Sequence, residues 1–177
     1  MKNLSILMFL FFFCLIEVRA STTEVLVTER GQILISKIKD WEMGKDMFGM
    51  PYIYFSPQAN GQRSNISFTA TGVETDLDLT TLGKNQETYK KMKQQWSETV
   101  NAKVLGFTPY RRWKNKEGHI VHQIGFEYLH EDLPYVENSF YVDCRGKLIY
   151  SKSLRLKINT QHQTDFEKLI SDMDCGL

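Results

Sequence analysis

Hydrophobic and polar positions alternate most regularly between His119 and Leu156. In a first run, Ile120, His122, Ile124, Phe126 and Tyr128 fall on one side, against His119, Val121, Gln123, Glu127 and Leu129. In a second, Val136, Phe140, Val142 and Cys144 oppose Tyr135, Glu137, Ser139, Tyr141 and Asp143, and Leu148, Tyr150, Leu154 and Leu156 repeat the pattern in a third. A period of two belongs to extended strands. We read three consecutive antiparallel strands with one buried face, the second and third joined by a tight turn at Arg145-Gly146.

The flanking chain supplies what covers that face. Glu24 to Thr28 and Ile33 to Ser36 are β-prone and predict a leading hairpin or an arm docked on a sheet edge. Trp41 to Met50 reads as a strand end followed by a loop. Tyr52 to Phe55 is a short strand between Pro51 and Pro57, and Asn65 to Thr71 alternates with Ile66, Phe68 and Ala70 inward. Leu82, Tyr89, Met92, Trp96 and Val100 recur at helical spacing and predict a long helix over 85–102 capped by Asn85. Val104 to Trp113 returns to strand. Thr164 with Glu167 reads as a capping box opening a last helix, whose apolar stripe is Phe166, Leu169, Ile170 and Met173 and which Gly176 stops.

Ahead of all this stand Lys2, an apolar run from Ile6 to Ile16 and small residues near Ala20. That arrangement predicts a signal peptide over 1–20, and the run is too short for a comfortable membrane anchor. The expected organisation is therefore 1–20 signal peptide, 21–45 β-prone arm or hairpin, and 46–177 a single α+β domain. The mature chain is close to neutral, so nucleic acid and anionic membrane are not expected partners, nor is stable membrane insertion. Localisation is expected to be periplasmic or secreted. There, Cys144 and Cys175 are expected to form a disulfide, since the last helix returns the chain to the sheet end where Cys144 sits. Two free thiols or a catalytic cysteine are the alternative.

Catalytic motifs are absent: no phosphate loop, nucleophile elbow, paired metal histidines or CxxC. An enzyme is not expected, nor a cofactor or bound metal. His119 and His122 project from opposite faces of one strand and cannot share an ion. His122 lies among apolar residues, as a core-rim histidine or a pocket residue. Tyr110, Arg111, Arg112 and Trp113 mix bases with aromatics at a strand end. With Tyr135 and Tyr141 on the sheet's outer side they form the candidate partner surface, provided no helix covers them.

Element order also resembles a known family. The phrases Ile53-Tyr54-Phe55-Ser56-Pro57 and Ser64-Asn65-Ile66-Ser67-Phe68, followed by a long helix, four antiparallel strands and a terminal helix, resemble the PsbP-like superfamily over roughly residues 45–174. The resemblance implies an α/β/α sandwich, an antiparallel sheet flanked by helices, and non-enzymatic work as an accessory subunit or adaptor. The expected function is protein–protein binding in the cell envelope. The alternative is a small-ligand or metal-ion binding protein with its pocket under the long helix near His122.

Overall fold

The computed structural model describes residues 23–28, 31–71, 82–83, 86–144 and 147–176. The expected signal peptide, the Asn85 cap and the Arg145-Gly146 turn lie outside them. Seven strands form one antiparallel sheet: β3 (Glu42–Met47), β4 (Met50–Phe55), β5 (Asn65–Thr71), β6 (Lys103–Lys114), β7 (Ile120–His130), β8 (Leu133–Cys144) and β9 (Lys147–Leu156). Their spatial order is β3-β4-β5-β9-β8-β7-β6. A smaller sheet of order β1-β2-β10 contains β1 (Thr23–Thr28), β2 (Gly31–Ser36) and β10 (Asp174–Gly176). Two helices complete the described chain, α1 (Glu87–Thr99) and α2 (Thr160–Ser171).

The register corrects the expectation of one buried face. His122 lies opposite Tyr141, Phe126 opposite Glu137, and Tyr141 opposite Tyr150, so these share a side. Phe140 and Val142 point the other way. Both sides are buried. Under α1, Ile124, Phe126, Tyr128 and Tyr141 pack with Leu82, Tyr89 and Trp96. On the opposite side, Phe68, Phe140 and Val142 meet Leu26, Ile33 and Ile35 of the small sheet and Phe166, Leu169 and Ile170 of α2. Polar residues along the central strands mislead a one-face reading because several are themselves interior. Glu137, Asn138 and Ser139 are all buried.

Glu137 explains how α1 sits. Lys93 reaches across to it at 2.5 Å, and its ammonium lies 4.9 Å from the centre of the Phe126 ring and 5.5 Å from that of Tyr89. The inward row of α1 is therefore Tyr89, Lys93 and Trp96 with Ser97, while Met92, expected inside, is exposed. Pairing makes burial of this charge tolerable. Burial also pushes the hydroxyl pKa values of Tyr89, Tyr128 and Tyr141 upward, and Tyr150 to about 12.

Three further differences concern chain ends. α2 begins at Thr160, a turn before Thr164, and neither helix has a side-chain cap hydrogen bond. Asp174 to Gly176 continue as a strand on β2, where a helix stop was expected at Gly176. Residues 42–47 form β3, five of them in register with β4, where a strand end followed by a loop was expected. The Cys144–Cys175 disulfide is present, with 5.7 Å between the Cα atoms, and joins the large sheet to the small one. Tyr52 makes a second tie, its hydroxyl accepting from the Val27 amide at 3.0 Å and donating to the Val27 carbonyl at 2.6 Å. Among the described residues no helix is long and apolar enough to cross a membrane.

Candidate functional site

The six residues expected to form a partner surface do not form one. Tyr141 is 4% exposed and packs against Tyr150, while Tyr135 stacks on Tyr128 with ring centres 5.4 Å apart. Both lie on the side that α1 covers. Arg112 lies opposite His122 and Arg111 opposite Gln123, so the two arginines project to opposite faces. Trp113 packs on the α2 side. The surface required an uncovered sheet face, and both faces carry a layer.

His122 is similarly accounted for. Its Nδ1 lies 2.7 Å from the Tyr110 hydroxyl. Burial, and then the Arg112 guanidinium, hold its pKa below the usual histidine value, with Asp143 opposing. His119 makes its contact on another element, Nε2 to the Asp174 carboxylate at 3.1 Å. Among the described residues no three His, Cys, Asp or Glu side chains converge as a metal site would require.

Exposed apolar surface gathers instead at the β3 edge. β3 and β4 pair up to Met47 and Met50, leaving Phe48-Gly49 as a two-residue turn. Phe48 has φ 54° and Gly49 φ 73°. Positive φ at both central residues defines a turn that favours Asn-Gly, because most side chains lose about 1–2 kcal/mol in the left-handed region. Phe48 has neither the short polar side chain that eases this conformation nor burial to offset it. It is 79% exposed, beside Met43 at 37% and Met47 at 39%.

These residues border a groove of about 580 Å³ between the hairpin and the loop over residues 58–63, with Phe55 in its wall. The loop is held in place. Arg63 donates through Nε to the Ser56 carbonyl at 2.6 Å, pairs with Glu42 at 2.9 Å and lies 5.3 Å from the Phe55 ring centre. Asn60 donates to Asn159 Oδ1 at 2.8 Å. Met47 folds over Gly44, where a Cβ would collide with its sulfur. The result is a firm groove with a flexible thioether beside it and an aromatic at its tip. The legible signal was Phe48-Gly49 between two short extended runs; expecting a strand end followed by a loop over 41–50 hid it.

No protein-family model matches this sequence, and no curated protein matches it. Solved structures do. The solution structure of the cyanobacterial PsbP protein CyanoP from Synechocystis sp. PCC 6803 superposes with a TM-score of 0.58 at 12% identity, covering 90% of this chain and 95% of that one. LpqN, involved in cell envelope biogenesis of Mycobacterium tuberculosis, gives a TM-score of 0.56 at 12% identity, covering 88% and 91%. At such identity the likeness is one of architecture, and it agrees with the element order read along the chain: this protein has a PsbP-like fold.

Proposed function

We propose that this chain is an exported, non-enzymatic accessory protein of the cell envelope that binds another protein through its β3–β4 edge. The observation that carries the reading is Phe48, an aromatic side chain held in solvent by a backbone conformation that disfavours it. Local strain retained at an exposed position suits a contact made elsewhere, and an aromatic anchor flanked by methionines is a common interface core. The paired Arg63 and Glu42 leave the groove nearly neutral, so the partner is expected to present an apolar pocket. Export is supported by the Cys144–Cys175 disulfide, which suits an oxidising compartment, and LpqN's involvement in cell envelope biogenesis fits the same class.

The test compares capture from an envelope extract by the wild-type chain and by Phe48→Asp. One partner retained by the wild type and lost with the variant, at unchanged circular dichroism, is the expected result. Equal recovery by both would remove the hairpin from the account. The alternative reading, a pocket at His122, gains no support from an imidazole nitrogen already engaged by Tyr110.

A further inference from the structure

Behind the β6–β7 hairpin, on the face opposite α1, a second groove of about 440 Å³ lies between the sheet and α2. Arg111, Trp113 and Gln123 form one wall, and Glu167, Lys168 and Ser171 of α2 form the other. Gln123 is only 6% exposed, and its Oε1 has no hydrogen-bond partner among the described residues. The Trp113 indole Nε1 is buried and likewise unpartnered. Trp113 pairs with Val121 and Arg111 with Gln123, so Trp113 and Gln123 are diagonal neighbours on one face. Leaving such a donor and acceptor unmet costs about 1–3 kcal/mol each.

The neighbouring polar groups are already committed. Gln163 accepts from Asn138 at 3.1 Å and donates to Glu167 at 2.9 Å, and Glu167 also pairs with Arg111 at 3.5 Å. Lys168 alone on this rim has no ion-pair partner among the described residues. A complementary ligand must therefore accept from Trp113, donate to Gln123, and carry one negative charge within reach of Lys168. A peptide group meets the first two needs at once, since its carbonyl accepts and its N–H donates.

We infer that the groove between α2 and the β6–β7 hairpin binds a short acidic peptide segment, one amide of which bridges Trp113 Nε1 and Gln123 Oε1 while its carboxylate faces Lys168. The carboxylate has two possible sources, a side chain or a chain terminus. This site is separate from the β3 edge, on a different strand pair, and does not depend on the proposed partner.

Titration followed by the indole N–H resonance of Trp113, assigned by its loss in Trp113→Phe, provides the test. The probes are acetyl-Ala-Asp-Ala-amide, acetyl-Ala-Ala-Ala with a free carboxyl end, and the neutral acetyl-Ala-Asn-Ala-amide. A saturable downfield shift with one or both acidic probes is expected, and which of them binds more tightly identifies the carboxylate. Gln123→Met keeps the side chain's reach without the amide and should weaken binding by about tenfold. Lys168→Glu should abolish the preference for acidic over neutral probe. No saturable shift at millimolar probe, or equal affinity in Gln123→Met, would leave a groove filled by solvent and overturn the inference. Phe48→Asp should bind the probe as the wild type does, which separates failure here from failure at the other edge.

Discussion

Along β6 the large sheet ends in Pro109, two register shifts and four exposed basic side chains, Lys103, Arg111, Arg112 and Lys114. Along β3 it ends in Met43, Met47 and the bare ring of Phe48, interleaved with the exposed charges of Glu42, Lys45 and Asp46. An open sheet edge invites unwanted pairing, and proline, bulges and lysines are the usual deterrents. β6 carries all of them, and its one exposed large apolar residue, Leu105 at 47%, stands alone. The hairpin tip beyond β6 is also tied down: Asn115 donates to the carbonyls of Ile170 and Met173 at 3.3 and 2.7 Å and accepts from the His119 amide at 2.9 Å. A guarded edge shows what this chain does with a surface it must keep inert. The β3 edge, with neither proline nor bulge and with apolar side chains among its charges, is less guarded, which suits the contact proposed for it.

The largest expected effect falls on the tied side. Replacing Cys144 and Cys175 by alanine releases a 31-residue separation and should cost about 3–4 kcal/mol in urea unfolding, mainly through unfolded-chain entropy. Asn115→Ala should cost about 2 kcal/mol, because it strands buried groups at the β6–β7 tip. Neither change should alter binding through β3.

Phe48→Asn is expected to act in the opposite sense. Asparagine suits the left-handed turn position, so the urea midpoint should rise by the equivalent of about 1 kcal/mol while partner binding is lost. A rise without loss of binding would sever strain from function. The smallest effect concerns pH. Burial holds the pKa values of His122 and His162 below the usual histidine value of about 6.5, so the unfolded chain takes up protons first as pH falls. Stability is full above that value and declines below it. His122→Gln should flatten part of the decline, measured as urea midpoint against pH.

Strand positions were legible wherever alternation was strong, as in β7 to β9, and the disulfide followed from where α2 returns the chain. What could not be read was the environment of each face. Glu137 looks outward-facing by polarity alone, and its burial depends on Lys93, which no local pattern marks as inward. Met92 and Lys93 differ by one position on the helix, and a charged partner across the sheet outweighed the apolar preference of methionine. Tyr141 similarly became interior because α1 lies over it. The β3 hairpin was not legible because its turn uses phenylalanine where the expected signal is asparagine.

The most direct test places a photoreactive phenylalanine analogue at position 48 and, in a second protein, at position 105 of the guarded edge, followed by irradiation in an envelope extract. A single discrete adduct from position 48 and none from position 105 is predicted. Adducts of equal yield and pattern from both, or none from either, would contradict a dedicated binding edge at β3.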